Sequence, residues 1–231
     1  MASVIFDCDG VLVDSEPLAA RAMSDVLTRA GLVISPEELM GFCVGLSQKD
    51  ILAAVAARLD RVVPENVSAE LWPATRALFA AELGAMPGVA EVLQALDVPV
   101  GVASSSPPQR IEFSLARAGL RERFGRFVFS SAMVPRGKPF PDLFLHAARE
   151  MAVAPADCVV VEDSTAGTTA ARAAGMRVLG FVGGSHAGEE TARRLRAAGA
   201  EAVAADWTEG LPALRRILAA LSRAQERADV R

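Results

Sequence analysis

Short apolar segments of strand type recur along the chain and, in its second half, alternate with segments of helical periodicity. Parallel strands need crossover connections, which are usually helices, so this alternation predicts a parallel sheet with helices on both faces. The expected fold class is therefore α/β. The predicted strands cover residues 3–6, 98–103, 127–129, 158–161 and 178–182.

The interval 14–87 interrupts this alternation, because it contains helical patterns and turn residues but no convincing strand. Ser15 followed by Pro17 is typical of a helix start. Pro87-Gly88 marks the return to the alternating pattern. We therefore predict a core formed by residues 1–13 and 88–231, and an inserted all-helical cap domain formed by residues 14–87.

The composition limits the classes of partner. The 231-residue chain is 52% hydrophobic, which is enough for one generous core with a smaller satellite. A formal net charge of -4 and the lack of a long basic tract predict no binding to nucleic acid or to an anionic membrane. With no long apolar run and no export signal, we expect a cytoplasmic protein. We also expect a monomer or a weak homodimer. Three cysteines without CxxC spacing indicate neither a disulfide framework nor a zinc site.

Two acids follow the first predicted strand, in the segment Asp7-Cys8-Asp9-Gly10. In an extended backbone residues two apart project to the same side, so Asp7 and Asp9 are expected to face one site. Two neighbouring carboxylates are costly unless they share a cation or a proton, which favours an active site over two idle surface acids. Calcium loops and ordinary turns also contain this motif.

A second pair of acids, Glu162 and Asp163, follows the apolar run 158–161. The carboxyl ends of parallel strands share one edge of the sheet, so this pair is expected to converge on Asp7 and Asp9. A cluster of oxygen ligands without histidine or cysteine suits Mg²⁺. The alternative is that Glu162 and Asp163 begin the next helix and complement its dipole.

Ser104, Ser105 and Ser106 lie between a predicted strand and a predicted helix, where hydroxyl and backbone N–H groups could bind an anion. A triple serine is also common in plain caps and turns. Lys138 lies in the loop Gly137-Lys138-Pro139, and it is one of only two lysines among 24 basic residues. A lysine supplies a compact point charge that arginine cannot copy, so Lys138 is a candidate phosphate ligand, although a loop lysine is usually solvated.

In their order along the chain, these motifs resemble the haloacid dehalogenase-like superfamily, in its β-phosphoglucomutase-like branch. The resemblance spans nearly the whole chain and implies a Rossmann-like core with an inserted helical cap. It rests on residues 7–16 (DCDGVLVDSE), Ser104, Lys138-Pro139 with Pro141-Asp142, and Glu162-Asp163-Ser164 with Ala166-Gly167.

The resemblance implies that Asp7 is the nucleophile and accepts the phosphoryl group as an aspartyl-phosphate. It implies that Asp9 protonates the leaving alcohol and then takes a proton from the attacking water. Ser104 and Lys138 are expected to hold the phosphoryl oxygens, with Ser105 beside them. The expected cofactor is Mg²⁺, and its implied ligands are Asp7, the main-chain carbonyl of Asp9, Glu162 and Asp163.

The predicted function is Mg²⁺-dependent hydrolysis of a small phosphorylated metabolite, either a sugar phosphate or a sugar-acid phosphate. Asp9 argues against halide displacement, since haloacid dehalogenases resemble this motif without the second aspartate. Phosphonatase-like members use a cap lysine for Schiff-base chemistry, and Lys49 sits in a different setting. A noncatalytic module that binds metal and phosphate is the alternative from another class, but binding alone needs no acid–base residue.

A sugar phosphomutase is the main rival. Gly45, Ser47, Gln48 and Lys49 are predicted to belong to the cap loop that contacts the substrate, and β-phosphoglucomutases resemble this loop but carry an arginine where Gln48 stands. A neutral glutamine cannot bind the second phosphate of a bisphosphate intermediate as an arginine fork would, which favours hydrolysis. Lys49 could partly replace that charge, or could bind a substrate carboxylate.

Overall fold

The computed structural model describes residues 2–43 and 46–229. In these ranges one sheet has six parallel strands in the order β3-β2-β1-β4-β5-β6. The predicted α/β fold class is confirmed. The strands are β1 Ser3–Phe6, β2 Val100–Ser104, β3 Val128–Ser130, β4 Cys158–Glu162, β5 Arg177–Phe181 and β6 Ala202–Ala204.

Five of these strands match the predicted segments to within two residues at each end. The sixth, β6, is absent from the predictions. Its three residues Ala202, Val203 and Ala204 include two alanines, which have a low strand propensity, and the segment is too short to show alternation. Pairing with β5 therefore decides its conformation.

Ten α-helices connect and cover the strands in the described ranges. Before the second strand lie α1 Glu16–Arg29, α2 Pro36–Cys43, α3 Gln48–Leu59, α4 Glu65–Glu82 and α5 Val89–Gln94. After it follow α6 Pro108–Arg117, α7 Asp142–Glu150, α8 Thr165–Ala173, α9 Glu189–Ala197 and α10 Trp207–Asp229. No helix in the described part of the chain has both the length and the apolar character to cross a membrane.

The sheet separates two hydrophobic clusters. Along β1, Val4 and Phe6 belong to one cluster, and Ile5 belongs to the other. This follows from the two-residue alternation of side chains along a strand that is buried on both faces. The sheet is thus a rigid platform whose strand ends are fixed by packing on both sides.

Helices α1 to α4 form a third hydrophobic cluster of their own, which includes Leu27, Leu39, Val55 and Leu71. They are inserted between β1 and α5, and no strand lies among the described residues of the interval 14–87. The division of the chain at residues 13 and 88 stays a prediction.

The two connections of this helical insertion run side by side. Val13 forms isolated β-bridges with Asp9 and with Ala85, and the Met86 N–H donates a 2.8 Å hydrogen bond to the carbonyl of Leu12. The entrance and the exit of the insertion therefore meet directly after the Asp7-Cys8-Asp9-Gly10 segment.

Phe6 offers a test of how far the packing below the strand ends supports the fold. Its fully buried ring lies 6.3 Å from the ring of Phe124 and 6.0 Å from that of Trp207. We expect Phe6→Ala to lower the free energy of unfolding by about 3–5 kcal/mol, because the lost burial is accompanied by a cavity. Urea denaturation measures this change. Val62→Ala, at a position that is 88% exposed, is the control and should stay within about 0.5 kcal/mol of the parent.

Candidate active site

The ends of three neighbouring strands bring the predicted acids and serine to one rim. Asp7 follows β1, Ser104 ends β2, and Glu162 ends β4 just before Asp163. All four side chains are buried. The rim arises because the strands are parallel, so their carboxyl ends lie on the same edge of the sheet.

Lys138 reaches this rim from the loop before α7 and links Asp7 to Glu162. Its ammonium group donates hydrogen bonds to Asp7 Oδ1 at 2.8 Å, to Glu162 Oε1 at 2.5 Å and to the carbonyl of Ala103 at 2.9 Å. Burial disfavours the charge of this 3% exposed side chain, but the carboxylates of Asp7 and Glu162 outweigh burial and raise the pKa of Lys138. Lys138 is therefore a permanent positive charge beside Asp7.

Glu162 has both carboxylate oxygens engaged. Oε1 accepts from Lys138, and Oε2 accepts from the backbone N–H of Ser164 at 3.0 Å and from its hydroxyl at 2.8 Å. Helix α8 begins at Thr165 with Ser164 as its N-cap, so Glu162 ends the strand and does not lie in the first turn of the helix. Because Ser164 holds one oxygen of Glu162 and Lys138 donates to the other, Glu162 helps to fix the position of Lys138.

Asp163 lies against Gly10. Gly10 has a φ of +77°, and a Cβ atom at this position would overlap the Asp163 carboxylate. Burial, with added repulsion from Glu162, raises the pKa of Asp163. The imidazole of His186 is the nearest opposing group, with Nε2 at 3.4 Å from Asp163 Oδ2.

A divalent cation fits this arrangement. Asp7, Glu162 and Asp163 each offer one carboxylate oxygen, and these atoms lie within 4.8 Å of one another. Burial, followed by the nearby carboxylates, raises the pKa of Asp7 despite the charge of Lys138. Three buried acids beside one lysine leave an excess of negative charge, which a cation would offset. The donor set of oxygens alone is the kind that Mg²⁺ prefers.

The side chain of Asp9 lies outside this acidic cluster. Oδ1 accepts from the Ser15 hydroxyl at 2.5 Å and from Arg110 Nη2 at 2.9 Å, and Oδ2 accepts from the Ser106 hydroxyl at 2.7 Å. Burial raises the pKa of Asp9, but the charge of Arg110 and the hydroxyl donors outweigh burial and lower it. In this structure Asp9 is therefore a carboxylate anion whose donors hold it beside Arg110.

Arg110, Ser15 and His186 are absent from the residues assigned above to the site. Arg110 lies in the first turn of α6, where a positive charge opposes the helix dipole, and this unfavourable placement is the signal that could have drawn attention to it. Helix α1 begins directly after Ser15, as predicted, but the Ser15 hydroxyl donates to Asp9 and makes no capping hydrogen bond. His186 has no sequence neighbour that suggests its contact with Asp163.

A cavity of about 150 Å³ lies between the rim and the helical insertion. Gln48 reaches it from α3, and its Nε2 donates to the Ser68 hydroxyl at 3.1 Å. Lys49 is exposed and is not among the described residues that line the cavity, and Gly45 lies outside the described residues. The assignments of these residues to roles stay predictions. The predicted residues that line the cavity are Asp7, Asp9, Ser47, Gln48, Ser104, Ser105, Lys138 and Asp163.

Known proteins similar to this chain belong to the predicted class of enzyme, the phosphatases. A 6-phosphogluconate phosphatase of Escherichia coli K12 is 32% identical over 185 residues, which cover 80% of this chain and 84% of that protein. Hexitol phosphatase B of the same strain is 34% identical over 191 residues, which cover 77% and 82% of the two chains. The fold, the rim and these relatives define a phosphoric monoester hydrolase.

The family model for haloacid dehalogenase-like hydrolases matches residues 1–175. The chain belongs to this family. A haloacid dehalogenase-like protein from Agrobacterium tumefaciens has a solved structure with a TM-score of 0.82 and 38% identity, over 95% of this chain and 99% of that one. A protein from Thermotoga maritima described as a candidate β-phosphoglucomutase has a TM-score of 0.75 and 30% identity, over 94% and 100%. The predicted family resemblance is confirmed.

The contact between Gly167 and Glu162 tests how the rim is built. A Cβ atom at Gly167, in the first turn of α8, would overlap the Glu162 carboxylate that holds Lys138. We expect Gly167→Ala to lower the free energy of unfolding by about 1–3 kcal/mol, as overpacking does elsewhere. Thermal and urea unfolding measure this change. Gly84→Ala is the matched control, because a Cβ there meets open space; equal stability of the two variants would contradict the proposed contact.

Proposed function

We propose that the chain is a Mg²⁺-dependent phosphatase that hydrolyses a small sugar phosphate or sugar-acid phosphate through an aspartyl-phosphate on Asp7. The observation that carries this proposal is the hydrogen bond of the buried Lys138 ammonium to Asp7, with Asp163 and Glu162 in reach of one shared cation. The named activities of the relatives, on 6-phosphogluconate and on hexitol phosphates, support the substrate class.

Two contacts of Asp7 support its proposed role as the nucleophile. Lys138 fixes one of its oxygens, and the carboxylate faces the cavity in which a phosphate ester would lie. In the first step Asp7 forms a bond to phosphorus as the bond to the leaving alcohol oxygen breaks. Lys138 stays charged throughout and reduces the negative charge at the phosphoryl group. When bound by Asp7, Asp163, Glu162 and the main-chain carbonyl of Asp9, Mg²⁺ would neutralise phosphoryl charge.

Asp9 is proposed as the proton carrier. In its protonated form it donates the proton to the leaving alkoxide, and in the second step it takes a proton from the water that attacks phosphorus and releases Asp7. In the structure its carboxylate is held by Arg110, Ser15 and Ser106. Proton donation therefore requires that Asp9 exchange these partners for the leaving group.

We also propose that residues 14–87 act as a cap that closes over the rim. Leu46, Ser47 and Gln48 line the cavity from the insertion, opposite Asp7 and Lys138. The paired connections at Val13 and Ala85 would absorb the motion. Closure would exclude bulk water from the phosphoryl group.

A mutase is the second candidate, because the chain is similar to the Thermotoga maritima protein described above. The neutral Gln48, whose amide is engaged with Ser68, favours hydrolysis over the binding of a second phosphate. The two functions differ in their product: the phosphatase releases inorganic phosphate, whereas the mutase returns an isomeric sugar phosphate.

We expect Asp7→Asn to abolish phosphate release from a panel of sugar and sugar-acid phosphates, because an amide is not a nucleophile at phosphorus. In the wild type, activity should disappear on treatment with a chelator and return with Mg²⁺. Phosphate release in a colorimetric assay measures both effects. Equal turnover by the two proteins would reject Asp7 as the nucleophile, and full activity in the chelator would reject the metal requirement.

The role of Asp9 has its own test. Asp9→Asn should lose roughly 10²- to 10⁴-fold of the kcat for a sugar phosphate, whose alkoxide leaving group needs a proton. An aryl phosphate has a better leaving group, so its first step should be affected much less. Single-turnover measurements on the two substrates separate these effects. Equal losses of the single-turnover rate on both would contradict proton donation by Asp9.

A further inference from the structure

We propose that Arg110 selects substrates by binding a carboxylate at the end remote from the phosphate, so that the preferred substrates are sugar-acid phosphates. This inference rests on the proposed phosphatase function and names its substrate class. It assigns a specificity role to a residue of the core helix α6, outside the cap loop.

Arg110 lies at the cavity with an unusual set of contacts. Its Nη2 donates to Asp9 Oδ1 at 2.9 Å and lies 4.0 Å from Glu16 Oε1, and its guanidinium lies over the Phe79 ring at 5.3 Å from the centroid. The Nε atom is buried and has no hydrogen-bond partner among the described residues. The guanidinium therefore has one donor that no described residue satisfies.

Arg110 is the only cation of the described cavity lining that does not contact Asp7. The other cation in that lining is Lys138, which is bonded to Asp7 and Glu162 beside the phosphoryl position. Lys49, the earlier candidate for a substrate carboxylate, is exposed and lies outside the described lining. A second anionic group on the substrate thus has one cationic partner available in this cavity.

The proposed role of Asp9 leaves Arg110 in need of another anionic partner during the reaction. When the Asp9 side chain leaves this contact to reach the leaving group, Arg110 loses its hydrogen-bonded carboxylate partner. A largely buried arginine without an anion is costly. Glu16 compensates only in part, because burial raises its pKa to about 7 in spite of Arg110. A substrate carboxylate would replace Asp9 as a fork-shaped partner, whereas a hydroxyl would supply no charge.

Binding of an acidic substrate would therefore favour the release of Asp9 from Arg110. Such a substrate would place its carboxylate against Arg110, while its ester oxygen, at the other end, would accept the proton from Asp9. A neutral polyol phosphate would bind beside the same arginine but would leave Asp9 as the carboxylate hydrogen-bonded to it.

The test compares two substrates of the same six-carbon chain, 6-phosphogluconate and a hexitol 6-phosphate, which differ in a carboxylate against a hydroxymethyl group. We expect Arg110→Met to reduce the ratio of kcat/KM for the acid to kcat/KM for the hexitol by roughly 10- to 100-fold, the effect of a lost charge-assisted hydrogen bond. The ratio cancels any general effect of the substitution on Asp9. Arg196→Met, at an exposed arginine of α9, is the control and should leave the ratio unchanged.

Calorimetric binding separates this inference from the proposed function. Both ligands are titrated into Asp7→Asn, with and without Arg110→Met. Selective loss of 6-phosphogluconate affinity supports the role of Arg110, and equal affinity changes for both ligands overturn it. If wild type releases phosphate from no member of the sugar phosphate panel but Arg110 still selects the acid in binding, the phosphatase proposal fails while the preference of Arg110 for a carboxylate stands.

Glu16→Gln gives an independent arm that does not remove the arginine. It eliminates a carboxylate that competes for Arg110, so we expect several-fold tighter binding of 6-phosphogluconate and unchanged binding of the hexitol phosphate. Unchanged or weaker binding of the acid by this variant would overturn the inference, even if Arg110→Met fails to fold.

Discussion

The excess of negative charge at the strand ends is the constraint on which the rest of the site depends. Asp7, Glu162 and Asp163 are buried within reach of one another, and Lys138 is the one ammonium group bonded to them in the described structure. Each carboxylate raises the cost of ionising its neighbours. The geometry that relieves this cost, with an ammonium on one side and an oxygen-lined space for a cation on the other, is also the geometry in which a phosphate group would be bound.

The same constraint explains why small residues surround the rim. A side chain at Gly10 would collide with Asp163, and one at Gly167 would collide with Glu162. The carboxylates can approach each other only because the backbone of a turn and the first turn of a helix come directly against them. Packing on both faces of the sheet fixes the strand ends. The missing side chains at Gly10 and Gly167 leave room for the carboxylates of Asp163 and Glu162.

The sheet and its rim were predictable because they follow from local patterns. Apolar runs that end in acids or serines predict strands, and parallel strands share one edge, so the convergence of Asp7, Ser104 and Asp163 could be expected before any coordinates. The partners of Asp9 could not. Arg110 is 101 positions away along the chain, and no periodic pattern relates a residue of α6 to an acid in the turn after β1. Lys49 is predicted to contact the substrate from its place beside Gln48 in the cap loop, but a position in the sequence contains no information on side-chain direction, and Lys49 lies outside the described cavity lining.

The paired connections of the helical insertion have a consequence for evolution. Because Val13 bridges both to Asp9 and to Ala85, the chain leaves the sheet and returns to it at nearly one point. A different insertion could be grafted between these two positions without changing the order of strands or the register of Asp7. An exchanged insertion would replace only the part of the cavity lining that residues 14–87 supply, while Arg110 of α6 and the rim would stay in place. The acid at position 9, which borders the graft point, is where such an exchange would first affect the reaction.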